Sequence, residues 1–589
     1  MRTGPQPDAV VIGSGAAGLA TALALSPLRV LLLTKEPALE SGASPYAQGG
    51  IAAALGEDDA PDLHARDTVE AGAGLTEEGV AASFAREAAA LVRGLLAEGV
   101  PFDRSPGGAP RLGREAAHSR ARIVHAGGDA TGRALVRALA DRVRATPSIA
   151  VATEAFALDL AMRGGRVVGV VARHRDGGTV LHPCPRVALA TGGIGAAYLR
   201  TTNPASATGD GLAMAARAGA RLADLEFVQF HPTALAAGPA AGLAPGARMP
   251  LLTEALRGAG ATLLDARGRR FMAAEHPLAE LAPRDVVARA VWRRVAAGER
   301  VLLDARAVLA GDADAFPTAV AACRATGLDP RREPVPVAPA AHYHMGGVAT
   351  DEAGRTSVPG LWACGEVACT GLHGANRLAS NSLAEALVAA RRVAADMRGR
   401  AAEALPDPDL GPGPPPRGAA AFPDPGPPRA AGFPPGAYEP AGRLRLEART
   451  ALYELVGLSR DAAGLEAAAS RCAGSLAALP PVPPRGFEDA LSWGEARNVL
   501  LVGRLVAEAA LARRESRGAH FRADHPRPRP EWRRRRFVAL EPVAGGLDDA
   551  ARAPLRVQGF DRPAVHAEPQ AGPGSPSHPQ QPEAACRTP

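Results

Sequence analysis

Lysine is almost absent from this chain: of its 67 strongly basic side chains, all but Lys35 are arginine. Heavy use of Ala, Gly, Pro and Arg points to a G+C-rich genome, and in such a background a single retained lysine stands out. Cysteine is also scarce. Cys184, Cys323, Cys364, Cys369, Cys472 and Cys586 form no CxxC pair, which leaves no zinc or iron–sulfur spacing, and no metal site is expected. They read as reduced thiols in a cytoplasmic protein. No apolar run is long enough to span a bilayer, and the first strand begins too early for a signal peptide to precede it, so no membrane association is expected. Aromatics make up only 4% of the residues, and the net charge of +6 is small for 589 residues. Much of the excess base lies in Arg533–Arg536, flanked by Trp532 and Phe537 in Pro-rich surroundings. That run reads as a solvated charge cluster, and no nucleic-acid partner is expected.

Two stretches carry most of the functional signal. Near the N-terminus, Ala9-Val-Val-Ile12 reads as a buried strand and Leu19–Leu25 as a short helix, with Arg29–Leu33 as a second strand. Between the first strand and the helix lies Gly13-Ser14-Gly15-Ala16-Ala17-Gly18. In this strand–turn–helix context a GxGxxG lets backbone approach a pyrophosphate at a helix N-terminus. The second strand ends in Thr34-Lys35-Glu36. Glu36 can fill the usual acidic role at the ribose, or Lys35 can meet the adenosine side. The second stretch is Gly371–Glu385, where His373, Asn376, Arg377, Ser380, Asn381 and Ser382 crowd into a loop entering an apolar helix. Buried polar groups in such number are costly without a ligand to satisfy them.

The remaining pattern organises the chain. A Rossmann-like α/β fold is expected, its dinucleotide domain discontinuous over 1–224 and 345–404, with an inserted α+β capping domain at 225–344. An amphipathic helix is expected over 79–98, and strands over 151–153, 167–171 and 187–190. Thr208-Gly-Asp210-Gly opens a helix, which Asp210 can cap unless it binds a ligand instead. Residues 405–442 read as a Pro/Gly-rich linker, 443–526 as a C-terminal helical domain, and 527–589 as a disordered tail.

These motifs, in this order, resemble the flavoprotein subunits of succinate dehydrogenase and fumarate reductase. The resemblance rests on Gly13–Gly18, Ala47-Gln48-Gly49-Gly50, Ala190–Gly193, Gly209-Asp210-Gly211, Gln229-Phe-His231-Pro and Gly365-Glu366. Within that family the aspartate-oxidising branch is the most similar, through Tyr46–Ile51, Arg114–Ser119, Leu252–Gly258 and Gly371–Leu383. The resemblance implies FAD, with contacts from Ser44, Gln48, Gly49, Gly50 and Asp210 and from Glu366, Ser380, Ser382 and Leu383, besides the N-terminal glycine turn and Lys35. Members with covalent flavin carry a histidine a few residues before the AQGG stretch. Gly42–Tyr46 has none and places Ala43 there, so non-covalent FAD is expected.

A dicarboxylate substrate calls for fixed cations, and arginine binds carboxylate in a two-pronged fork. Candidates are Arg377, Arg284, His231, His342 and Thr253. The resemblance implies that these positions hold the two carboxylates, with Arg284 as proton carrier. Glu115 matches a glutamate of the aspartate-oxidising branch; a carboxylate there attracts the ammonium of aspartate and disfavours succinate. Its ordinary alternative is an ion pair with Arg111 or Arg114. The implied reaction is oxidation of L-aspartate to iminoaspartate, with oxygen or fumarate as acceptor. It is the first step of NAD biosynthesis, with quinolinate synthase as the candidate partner downstream. The alternative is a soluble fumarate reductase or a succinate dehydrogenase flavoprotein subunit. His342 and His344 alternate along a strand, where they would share a face.

Overall fold

The computed structural model describes residues 2–4, 6–176, 178–236, 247–311, 316–399, 439–541 and 555–559. At its centre five short strands form a parallel sheet. The order across it is Leu361–Ala363, Val187–Leu189, Ala9–Ile12, Val30–Leu33 and Ile149–Ala152. Alternate residues enter different cores. Val10, Ile12, Leu33 and Leu189 face one, and Val11, Val30, Leu32 and Ala188 the other. Both faces are therefore covered, as a parallel sheet requires. Helices Ala16–Leu25, Glu78–Ala97, Thr131–Arg144 and Asn381–Gly399 supply the second core. The first is shared with the antiparallel strands Ala155–Arg163, Arg166–His174 and Gly178–Pro183.

The glycine turn is forced by contact. Gly13 has φ +112°, and a Cβ on it would lie 2.2 Å from the Ala190 carbonyl oxygen. A Cβ on Gly18 would lie 1.8 Å from the carbonyl oxygen of Gly13. Neither position accepts a side chain without moving the strand away from its helix.

Between Leu222–Ala223 and Gly347–Ala349 the chain builds a second unit. Strands Val228–Leu235, Val335–His344, Val301–Asp304 and Thr262–Leu264 form an antiparallel sheet in that order. Its helices close a separate core around Leu256, Val287, Val291 and Leu303. The register pairs Gln229 with Tyr343 and Phe230 with Ala341, leaving His342 as an extra residue. That bulge re-aims one side chain beside the site. It is why His342 and His344 do not share a face, as simple alternation predicts.

Helices Glu439–Leu455, Ala462–Ala478 and Phe487–Ala512 pack together near the C-terminus. Two sequence expectations are corrected here. The last residues of the expected linker, 439–442, belong to a helix; 405–438 lie outside the described residues. The expected disordered tail is ordered at its start. Phe537–Leu540 pairs with Leu222–Ala223 and with Leu555–Gly559; residues 542–554 and 560–589, Cys586 among them, lie outside the described residues.

The arginine run is also not a solvated cluster throughout, since Arg535 and Arg536 are buried. The Arg535 guanidinium pairs with Glu77 and with Asp224 at 2.7 Å, and donates to the Cys369 carbonyl at 3.2 Å. Charge density in the sequence does not reveal that two carboxylates wait for it inside. Arg535→Ala leaves Asp224 buried beside a lost partner, and a cost of about 3–5 kcal/mol is expected. Urea unfolding followed by far-UV circular dichroism checks this; an unchanged midpoint would show the contacts to be incidental.

Candidate active site

One large cavity runs from the N-terminal glycine turn to the inserted unit. Its empty space, open solvent at the mouth included, is about 1670 Å³. At one end lie Gly13 to Ala17, Lys35, Glu36 and Asp210; in the middle Ser44, Gln48 to Gly50, Glu366, Ser380, Ser382 and Leu383; at the far end Glu115, His231, Thr253, Arg284, His342 and Arg377. Of the expected site residues, only Gly18 is not on this lining; its place is behind the turn, against Gly13.

The cofactor end is built to be filled. Gln48 Oε1, Thr191 Oγ1 and Arg377 Nε are buried and lack a protein partner, and all three residues line the cavity. Such atoms cost free energy unless a ligand or water meets them. Ser44 Oγ accepts from the Ala16 amide at 3.1 Å, and Ser14 donates to Thr34 Oγ1 at 3.0 Å. These bonds fix the turn around the anion position. Glu366 accepts from the His344 amide at 3.0 Å, and burial pushes its carboxyl up to about 7. Ala43, at the position where the resemblance puts the histidine of members with covalent flavin, lines the cavity. The glycine turn and the buried polar atoms without a protein partner fit a dinucleotide such as FAD.

Lys35 behaves differently from expectation. Its ammonium donates to Thr208 Oγ1 at 2.9 Å, Asp210 Oδ2 at 2.8 Å and Glu495 Oε1 at 2.6 Å. Three protons meet three protein acceptors, so the adenosine side is offered the stem rather than the charge. Burial opposes the ammonium, but Asp210 and Glu495 outweigh it and hold Lys35 well above the ordinary lysine range. The lone lysine thus ties the cofactor domain to helix Phe487–Ala512.

At the far end Arg284 begins helix Arg284–Ala296, with Pro283 before it. Its Nε donates to Glu254 Oε2 at 2.7 Å, and its Nη1 to Gln229 Oε1 at 2.8 Å. Glu254 begins helix Glu254–Gly258, capped by Thr253. Burial pushes the Glu254 carboxyl up, but Arg284 and Arg257 prevail and hold it below the usual range. Gln229 also donates to Asn376 Oδ1 and to the Arg377 carbonyl, each at 2.9 Å. Arg377 lies 4.5 Å over the Tyr343 ring and donates to Ser382 Oγ at 3.1 Å. Burial, then the charge of Arg284, lowers its pKa to about 10.

His231 and His342 face each other with ring centroids 5.1 Å apart. His231 Nδ1 accepts from the Thr233 amide at 3.2 Å, which leaves Nε2 as the donor of the neutral ring. His342 Nδ1 meets Thr202 Oγ1 at 2.8 Å. Burial and then Arg284 hold both rings well below the ordinary histidine range, so they serve as neutral hydrogen-bonding groups. Glu115 is buried, and its Oε2 accepts from Ser380 Oγ at 2.7 Å. Of the alternative partners, Arg114 donates instead to the His118 carbonyl at 2.9 Å. Among the described residues no group of three or more His, Cys, Asp or Glu is placed to hold a metal.

Sequence reasoning missed Glu254, Arg257, Gln229 and Tyr343. The signal for the first two was present: Glu254 and Arg257 are three apart at a helix start in a motif already singled out, so they share a face. His373 turns away from the cavity to Glu385, at 2.8 Å, and His344 donates to the Leu225 carbonyl at 3.0 Å.

Comparison with known proteins agrees with this construction. Residues 8–383 match the FAD binding domain family, and residues 445–548 match the fumarate reductase flavoprotein C-terminal family. An L-aspartate oxidase of Mesorhizobium japonicum is 48% identical over 88% of this chain and 91% of its own length. One from Streptomyces coelicolor is 47% identical over 94% and 95%. Among solved structures, an E. coli quinol fumarate reductase chain superposes with TM-score 0.81 at 30% identity, covering 96% of this chain and 98% of that one. Mycobacterium smegmatis Sdh1 in complex with UQ1 gives 0.80 at 30%, covering 96% of each. The fold is thus shared with the reductases and dehydrogenases, while sequence identity is higher to the oxidases. This chain belongs to the L-aspartate oxidase family of FAD-dependent enzymes.

Proposed function

We propose that the protein oxidises L-aspartate to iminoaspartate, with oxygen or fumarate as electron acceptor. One observation carries the choice of substrate: the buried carboxylate Glu115, bonded to the Ser380 hydroxyl, shares the far end of the cavity with Arg284, Arg377 and two neutral histidines, while the other carboxylate there, Glu254, is paired with Arg284. Two carboxylates of a substrate find cations and donors there, and an ammonium finds Glu115. Succinate has nothing to offer that carboxylate. FAD would be held along Gly13–Ala17, Ser44–Gly50 and Ser382–Leu383 and would supply the two-electron acceptor, with oxygen, giving hydrogen peroxide, or fumarate as the final oxidant.

The chain's own work is orientation and proton handling. Arg377 presents a fork to one carboxylate, and His342 and the Nε2–H of His231 donate to the other. Oxidation removes a hydride and a proton and leaves the imine. Arg284 carries the proton; an arginine alone is a poor base, but its Nη2 lies 2.5 Å from Glu254 Oε2, which gives the charge a place to go. Held geometry supplies most of the rate. The product is consumed downstream by quinolinate synthase in this reading, and reduced cysteines fit the cytoplasm. No described helix is long and apolar enough to cross a membrane.

Anaerobic absorbance of the yellow protein tests the reading. L-Aspartate is expected to bleach the flavin and air to restore it with peroxide, whereas succinate leaves it oxidised. Acid precipitation is expected to release all of the flavin into the supernatant. Bleaching by succinate, or flavin retained in the pellet, would move the protein to the dehydrogenase and reductase side.

A further inference from the structure

We propose that Ser380 is the positioning residue for amine recognition: its hydroxyl fixes the direction in which Glu115 presents its carboxylate to the substrate. The proposal rests on the reading of Glu115 as the partner of the substrate ammonium. Ser380 was expected to serve the cofactor. Its Oγ instead donates to Glu115 Oε2 at 2.7 Å, and a Cβ on Gly49 would touch Ser380 Oγ at 3.0 Å and Glu115 Oε1 at 3.3 Å. Ser380 Oγ and Glu115 Oε1 therefore both lie close against the Gly49 backbone, where any side chain on Gly49 would crowd them.

The backbone holds Ser380 to this task at a cost. Its φ is +59°, left-handed and unfavourable for a residue with a side chain. Two buried histidines clamp either side. His118 Nε2 donates to the Ala379 carbonyl at 3.0 Å, and His64 Nε2 meets Asn381 Oδ1 at 2.7 Å. Asn381 Nδ2 in turn donates to Thr68 at 3.0 Å, and the Ala52 amide donates to the Ser380 carbonyl at 3.0 Å. Burial lowers both histidines to about 4, so near neutral pH the clamp is uncharged and constant. Strain kept in place by four neighbours marks a position whose side-chain direction matters.

The charges around Glu115 explain why a hydroxyl is needed. Burial first, and then the charge of Glu254, raise its pKa, while Ser380, Arg284 and Arg377 lower it. The two arginines are also wanted by the substrate carboxylates. When a dicarboxylate binds, Ser380 remains as the donor reserved for Glu115. A carboxylate without it takes up a proton more readily and loses its hold on an ammonium.

The test compares Ser380→Ala and Ser380→Gly in the FAD-loaded enzyme, with Glu115→Gln alongside. The readouts are kcat/KM against pH for L-aspartate oxidation and for fumarate reduction by a reduced viologen dye. Alanine removes the hydroxyl and keeps the strain; glycine removes both, so a shared effect belongs to the hydroxyl. Both variants are expected to move the acid limb for aspartate to higher pH and to lower kcat/KM near neutral pH roughly tenfold or more. Fumarate reduction is expected to hold or rise, because the repelling carboxylate is weakened. An unmoved acid limb, or equal losses with both substrates, overturns the proposal. If Glu115→Gln itself depresses both substrates equally, the reading of Glu115 fails first. If it discriminates and the Ser380 variants do not, only the role of Ser380 falls.

Discussion

Arg284→Leu is expected to abolish turnover with FAD still bound. The loss should be about 10²–10⁴-fold or more, the range that a placed proton-transfer group contributes. Arg284 holds Glu254 by two nitrogens and Gln229 by a third. Leucine leaves Glu254 buried with Arg257 as the remaining cation beside it. Arg284 is the leading influence that offsets burial at Glu254, so without it that carboxyl shifts upward. The proton then loses its carrier and the path to Glu254 that the carrier supplied. Arg284→Lys keeps a charge but is a point donor on a flexible stem, unable to bridge Glu254 and Gln229 in one plane. It should recover little. The measurement is steady-state oxidation of L-aspartate together with the flavin absorbance of the purified variant. The flavin spectrum should be unchanged, because no cofactor-side residue bonds Arg284. Turnover near the parent rate would remove Arg284 from the reaction.

The fold was legible where local pattern and global packing ask for the same thing. Ala9–Ile12 and the glycine turn are fixed by short-range sterics, and strand, turn and helix follow one another in the sequence as they do in space. The inserted unit was readable as an interruption, since strand character returns at Leu361. Side-chain placement depended on longer-range facts. His342 faces the cavity because of a bulge, which a period-two reading does not contain. Arg535 is buried because Asp224 and Glu77, more than three hundred residues upstream, lie where it arrives. Lys35 stands out in the sequence by its rarity, yet its partner Glu495 belongs to another part of the chain, and only the assembled structure shows that its protons are spent. Residues quoted in motifs were found in the cavity because a motif packs many ligand contacts into few residues. Tyr343, which acts through Arg377, carries no such mark, and Gln229, though it stands inside a quoted motif, acts through Arg284.

Glu115→Gln separates charge from shape at the amine end. The amide has the size of the carboxylate, so the loop Arg114–Ser119 need not move. Ser380 donates to an amide oxygen as it does to a carboxylate oxygen, and the packing against Gly49 is kept. What disappears is the negative charge facing the substrate nitrogen. A hydrogen bond to a charged group contributes about 1.5–3 kcal/mol. By that scale kcat/KM for L-aspartate should fall roughly 10–150-fold. Fumarate carries two negative charges and no amine, so the same substitution relieves repulsion and should leave its reduction unchanged or faster. The pH dependence sharpens the contrast. Burial and the neighbouring charge of Glu254 raise the pKa of Glu115 above that of an ordinary carboxyl. Its anion is present above that pKa and lost as pH falls through it. Aspartate oxidation by the parent enzyme should therefore lose efficiency on the acid side, and in Glu115→Gln that limb should be absent. Equal effects on both substrates would assign Glu115 to the framework of the loop, and selection for the amine would have to come from the arrangement of Arg377, His231 and His342 alone.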